Sequence, residues 1–218
     1  TETIRALGLE GKSAAQVGCN NARELLSLAS LKVIPSVGID QSGAFLEQGR
    51  VLAKAAGLEP RLIEADIYDL PDDVGTFDLV LVTIGVLNWM PDLGGFFRVI
   101  AGLLGPGGHL LVYETHPVME MFDPESDTPH EPAISYFRTD PLKEEGLISY
   151  DGVDHGSGET GYWFIHTLGQ IVTSCATAGM TITSLKEFGY SIREPEYDVY
   201  EGREAQIPMS YLLHARKM

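Results

Sequence analysis

The sequence has no apolar run approaching the roughly 20 residues of a membrane-spanning helix, and its first residues, TETIRALGLEGK, lack the apolar stretch of a secretory signal. With both absent, a soluble cytoplasmic protein is expected, with no membrane as partner. The chain opens on Thr1 and not on methionine, which leaves room for a further N-terminal segment. Cysteine is scarce: Cys19 and Cys175 are too few for a disulfide framework, and neither sits in a CxxC or Cys/His spacing that would hold zinc. Both are expected to be reduced. Basic residues are in short supply too, fifteen Lys and Arg against thirty-one Asp and Glu, for a formal charge of −16. Such a surface repels phosphate backbones and anionic membranes, so nucleic acid is excluded as a first choice of substrate. The acidic residues do not cluster at a ligand spacing, and no metal site is expected. There is no internal repeat and no low-complexity segment.

What is present is a chain of 218 residues, 44% of them hydrophobic, enough for one full core and too few for two comfortable domains. A single domain over 1–218 is expected. Its first 115 residues alternate short apolar runs with amphipathic stretches, the pattern of βαβ units that build a mostly parallel sheet covered on both faces. Strands are predicted near 13–17, 36–39, 60–64, 77–82 and 108–115. Asn21 is placed as the cap of a first helix with Leu25, Leu28 and Ala29 inward. A second helix is predicted over 42–56, capped by Ser42, with Phe45, Leu52 and Ala56 on one face and Gly57 closing it. Pro91 is placed at the first position of a third, which carries Leu93, Phe97, Ile100 and Leu104 inward until GPGG ends it.

From His116 to about Tyr162 the periodicity dissolves into Pro-, Gly- and Asp-rich sequence with scattered aromatics, too long for an idle connection. The segment 116–165 reads as an insertion covering a substrate site. A helix is predicted over 166–178, followed by strands at Met180–Phe188 and Pro208–Arg216. With no helical stretch between them, these two should pair antiparallel. The whole is an α/β three-layer sandwich, a Rossmann-like, mostly parallel seven-stranded sheet with an antiparallel C-terminal strand.

In an open α/β sheet a ligand binds beyond the carboxyl ends of the strands, so the residues just after each strand carry the chemistry. After the first come Gly18, Cys19 and Asn20, a turn entering a helix, whose N–H groups and dipole suit a carboxylate. After the second come Asp40 and Gln41, where an acid can accept both ribose hydroxyls. Asp66 and Ile67 follow the third, an acceptor and an apolar face for adenine. Thr83, Ile84 and Gly85 follow the fourth, with backbone carbonyls for an ammonium.

The series resembles the motifs of class I S-adenosylmethionine-dependent methyltransferases. AAQVGCNNAR matches the first motif, VGID the acidic strand end, EADIYDLP the third and FDLVLVTIGVLNWMPDL the fourth, followed by LLGPGGHLLVYETHP and a tail like that fold's last helix and reversed strand. Within that superfamily the chain is similar to bacterial small-molecule enzymes with a Cys-Asn-Asn turn and a Glu-x-His-Pro ending. The resemblance implies S-adenosyl-L-methionine as cofactor, S-adenosyl-L-homocysteine as product, and direct in-line transfer of the methyl to an unidentified small molecule. The chain departs from the family in having Gln16 where an acid is usual, and Asn20 and Ala22 where glycines alternate.

Of the six histidines, His116 is the candidate catalytic base, delivered by the fifth strand to the floor of the pocket. Trp89, Tyr136 and His166 are candidate substrate-binding residues, with Tyr162 and Trp163 as further aromatics of the cover; a helix cap is the other role open to His166. His155 lies in the insertion, while His109, His130 and His214 read as structural or solvated. Cys19 contributes backbone and Cys175 core. Two other functions fit the pattern: an NAD-dependent oxidoreductase, which would want GxGxxG for the pyrophosphate, and a non-catalytic S-adenosylmethionine-binding protein.

Overall fold

A computed structural model describes residues 1–145, 160–192 and 195–218. Seven strands form one sheet: β1 (Ser13–Val17), β2 (Ile34–Asp40), β3 (Arg61–Glu64), β4 (Phe77–Thr83), β5 (Leu104–Thr115), β8 (Met180–Phe188) and β9 (Ser210–Lys217). A separate antiparallel pair is made by β6 (Leu142–Glu145) and β7 (Thr160–Trp163). The helices are α1 (Glu2–Ala6), α2 (Arg23–Ser27), α3 (Gly43–Ala56), α4 (Leu93–Leu103) and α5 (Leu168–Thr177). The sheet order is β3-β2-β1-β4-β5-β9-β8. Only β9 runs against the others: it is antiparallel to both β5 and β8. The predicted antiparallel tail is therefore present, with β9 inserted between β5 and β8. A short 3₁₀ turn at Pro195–Tyr200, absent from the sequence reading, lies in the return loop. It is too short to serve as a crossover.

Strand β4 shows why the sheet is covered twice. Its run FDLVLVT sends Val80 and Val82 to one face and Leu79 and Leu81 to the other, all buried, as parallel strands in a three-layer fold require. On the first face they meet Phe96, Phe97 and Ile100 of α4 and Ile171 and Cys175 of α5. On the second they meet Leu25 of α2 and Leu46 of α3. Among the described residues no helix is long and apolar enough to cross a membrane.

Three local expectations are corrected. Helix α2 is capped at Ala22, not Asn21, and runs only five residues before a 3₁₀ turn at Leu28–Leu31. The inward face of α3 is Leu46, Gly49 and Ala53, while Leu52 is partly exposed, so the helix is rotated by about 100° from the predicted face. Close packing sets that rotation: a Cβ on Gly49 would come within 3.1 Å of the Asn21 carbonyl. Helix α4 is capped by Asp92, whose carboxylate accepts from the Gly95 N–H at 2.9 Å, which leaves Pro91 outside it. The GPGG run does not end α4: the helix stops at Leu103, and Leu104 with GPGG belongs to β5.

Candidate functional site

The carboxyl ends of β1 to β4 open onto a cavity of about 540 Å³, within the range of small-molecule sites. Its first wall is the turn after β1. Gly18, Asn20 and Ala22 all hold left-handed backbone, with φ of 61°, 51° and 57°. The chain thus keeps the backbone of alternating glycines with two of them replaced. Gly18 is the position that tolerates no side chain, because a Cβ there would lie 2.5 Å from Val86. Asn20 stabilises its own conformation by accepting the Asn21 N–H on Oδ1 at 2.7 Å.

Gln16, fully buried in β1, explains how the turn holds without the usual acid. Its Oε1 accepts the Leu25 N–H at 2.9 Å, the third amide of α2, which Ala22 as N-cap has no side chain to satisfy. Its Nε2 donates to Thr83 Oγ1 at 2.9 Å. One side chain therefore caps a helix and ties β1 to the end of β4.

The second wall is Asp40, whose Oδ2 accepts the Asn20 N–H at 2.6 Å and whose Oδ1 accepts the Ser42 N–H at 2.9 Å. These bonds fix the carboxylate at the cavity edge beside Gln41 and Phe45. The third wall is Asp66 and Ile67; Asp66 Oδ1 accepts the Tyr68 N–H at 2.9 Å, and the Tyr68 hydroxyl bonds the backbone of Asp92. The fourth is Ile84, Gly85 and Val86, then Trp89, Met90 and Pro91. This loop is held from below by Glu114 of β5, a buried carboxylate that accepts the N–H groups of Gly85, Val86 and Leu87. Glu114 was quoted in the sequence only as part of an ending. An acid one residue before a strand end, beside a strand that ends in a glycine turn, is the signal that could have marked it.

Of the sequence-predicted site residues, Gly18, Asn20, Asp40, Gln41, Asp66, Ile67, Ile84 and Trp89 line the cavity. Cys19 and Thr83 do not. The Cys19 N–H bonds the Ile39 carbonyl at 3.0 Å, and its thiol is buried in the core against α2 and α3, where burial pushes its pKa far up. Cys175 is core on the other face, its pKa pushed up to about 12 by burial. Thr83 Oγ1 is the partner of Gln16. Phe45, Tyr68, Val86, Met90 and Pro91 line the cavity without having been singled out.

His116 is not brought to the cavity. It is buried against Tyr211, its Nδ1 accepts the Val118 N–H at 3.1 Å, and its Nε2 lies 3.0 Å from Glu187 of β8. The lone pair a base would need is already engaged by the backbone. Burial holds its pKa below the ordinary histidine value, with Glu187 opposing. Tyr136 is also elsewhere, accepting the Leu168 N–H at the start of α5 at 2.9 Å. His166 stands behind the fourth wall, its Nε2 2.8 Å from the Met90 carbonyl, its pKa lowered by burial. His155, with residues 146–159 of the insertion, lies outside the described residues.

Residues 15–112, which hold all four walls, match a family model described as a methyltransferase domain. Over 84 residues the chain is 40% identical to a demethylmenaquinone methyltransferase of Thermus thermophilus, covering 37% of this chain and 36% of that protein. Over 117 residues it is 31% identical to a demethylmenaquinone methyltransferase of Staphylococcus epidermidis, covering 52% and 47%. The chain thus spans about a third to a half of the length of the curated relatives it matches. A solved structure from Mesorhizobium loti, described as an S-adenosylmethionine-dependent methyltransferase, superposes with a TM-score of 0.66 over 99% of this chain and 96% of that one, at 19% identity. At that identity the likeness is one of fold.

Proposed function

We propose that this chain transfers a methyl group from S-adenosylmethionine to a small molecule: residues 15–112 match a methyltransferase-domain model, and the fold is similar to that of a solved S-adenosylmethionine-dependent methyltransferase. The observation that carries the proposal is the convergence of Gly18, Asp40, Asp66 with Ile67, and Ile84 with Gly85 around one cavity. Asp40 would take the ribose hydroxyls on its remaining lone pairs, Ile67 and Phe45 the faces of adenine, and Asp66 its amino edge. The turn from Gly18 and the loop at Ile84 and Gly85 would take the amino acid end. When bound, the sulfonium would supply an already activated methyl, whose carbon would bond to the acceptor's lone pair as the C–S bond breaks and S-adenosylhomocysteine leaves. The protein's own part is then to orient, to exclude water and to hold polar groups fixed.

An NAD-dependent oxidoreductase is disfavoured by the same geometry. The Asn20 N–H that a pyrophosphate would need is bonded to the Asp40 carboxylate at 2.6 Å, so the turn presents a negative charge where a second anion would have to sit. Calorimetry with S-adenosylhomocysteine and with NAD is the test. Binding of the first alone is expected; affinity for NAD with no response to S-adenosylhomocysteine would overturn the proposal. Demethylmenaquinone comes first in the acceptor panel because it names the activity of the two relatives above, and turnover of any acceptor separates an enzyme from a non-catalytic binder.

A further inference from the structure

The two tryptophans of the whole chain, Trp89 and Trp163, meet at one place. Their rings stand edge to face with centroids 5.2 Å apart. Trp89 belongs to the fourth wall of the cavity, and the outer edge of Trp163 lies over Gly85, where a Cβ would be 3.7 Å from its ring. Trp163 reaches this point from β7, at the far end of the insertion. Apolar packing alone does not orient an indole at a half-open rim. The orientation comes from Glu120, in the 3₁₀ turn Pro117–Met121 that follows β5. One of its oxygens, Oε2, accepts the indole N–H of Trp163 at 2.8 Å, and the other, Oε1, accepts from Asn88 Nδ2 at 3.3 Å. The Asn88 amide also donates to the Phe164 carbonyl at 3.0 Å, and the Phe164 N–H donates to the Asn88 carbonyl at 2.7 Å. Three segments distant in sequence, the loop after β4, the turn after β5 and the end of β7, are thereby locked to one another.

We propose that Glu120 is a positioning residue that holds Trp163 over the Gly85 rim of the cavity, against Trp89, as the cover under which the acceptor meets the methyl donor. This rests on the cofactor assignment made above, in which Gly85 borders the amino acid end and therefore the sulfonium. Both carboxylate oxygens are engaged by donors from two of these segments, which is the geometry of a positioning role. Its charge matters as well as its shape, because a charge-assisted bond to an indole N–H fixes the ring more firmly than a neutral one.

The experiment uses the full chain with Trp89→Phe, which leaves Trp163 as its sole tryptophan. S-adenosylhomocysteine binding is followed by calorimetry, and in parallel by Trp163 emission and its quenching by acrylamide. The cofactor is expected to change the emission and to protect the indole from acrylamide. Adding Glu120→Leu should shift the emission to the red and raise the quenching, while the S-adenosylhomocysteine Kd moves less than about threefold, under 1 kcal/mol. Glu120→Gln, whose amide oxygen still accepts from the indole but without the charge, should give emission and quenching between those of the parent and of Glu120→Leu. Should Glu120→Leu be poorly folded by thermal unfolding, the cofactor-dependent protection in the Trp89→Phe protein stands as its own test. Calorimetric binding with no effect on Trp163 overturns the proposal, as does a folded Glu120→Leu protein with unchanged Trp163 quenching. No binding of S-adenosylhomocysteine by the unsubstituted protein overturns the cofactor assignment instead, and the role given to Trp163 with it.

Discussion

At single positions, the site depends on backbone conformations that the side chains either permit or forbid. Gly18→Ala should destabilise the protein by more than the roughly 1–2 kcal/mol of a left-handed alanine, because its methyl would also collide with Val86. Asn20→Gly keeps the same φ and loses only the bond to the Asn21 N–H, so its thermal unfolding should shift by less than about 1 kcal/mol in stability. A larger loss from Asn20→Gly than from Gly18→Ala would refute this account of the turn. For binding, Asp40→Ala should weaken S-adenosylhomocysteine by about 1.5–3 kcal/mol, the scale of hydrogen bonds to a charged group. Calorimetry at matched folded fraction is needed, since the Asn20 and Ser42 amides lose their acceptor too. His116→Asn, by contrast, should leave that affinity unchanged, as expected of a residue that caps the turn at Val118 and faces Glu187.

Among the elements, the junction of β1 with α2 shows how much of the site the sequence reveals. The strand ends, the Ser42 cap of α3 and the Gly57 stop were legible because each is a local preference with a strong residue signature. The cap of α2 was not, because it comes from Gln16 on the preceding strand and no sequence window links the two. Gln16→Leu should cost about 1–3 kcal/mol, the penalty for leaving the buried Leu25 amide without an acceptor. Gln16→Glu should be tolerated, since a carboxylate still accepts the Leu25 N–H and the Thr83 hydroxyl can turn to donate to it. Urea unfolding of the two variants checks the contrast; equal losses would mean that packing and not the hydrogen bond is at stake.

For the molecule as a whole, the seam between β5, β9 and β8 ties stability to pH. His109 Nδ1 lies 2.9 Å from His214 Nε2, and His214 Nδ1 is 2.7 Å from Thr183 Oγ1. Burial is the main cause holding both imidazoles below the ordinary value; Arg216 adds to it at both, His109 adds to it at His214, and Asp78 opposes it at His109. Unfolded, both titrate near 6.5. Below that pH the unfolded chain binds more protons than the folded one, so stability is complete above about pH 6.5 and declines as the pH falls toward the lower folded values. His116 and His166, lowered mainly by burial, act in the same direction. The melting temperature should therefore drop from pH 7 toward about pH 5, and His109→Gln with His214→Gln should reduce that slope. A slope unchanged by the pair would assign the effect to other groups.

The order of the seven sheet strands along the chain and the antiparallel tail, though not α1 or the β6–β7 pair, were carried by the sequence itself, because hydrophobic periodicity and turn residues act over a few neighbours. So were Gly18, Asp40, Asp66 and Ile67, each adjacent to the strand that delivers it. Only the tertiary structure could show that Glu114 supports the loop of another strand, that Gln16 caps a helix from β1, and that Glu120 holds Trp163. It also moved His116 from the expected floor of the cavity to a contact with β8. The reason is the same in each case: these are long side chains whose partners lie on other elements. Their roles follow from how strands are ordered in the sheet and which way each residue faces, and no local preference of the chain encodes that.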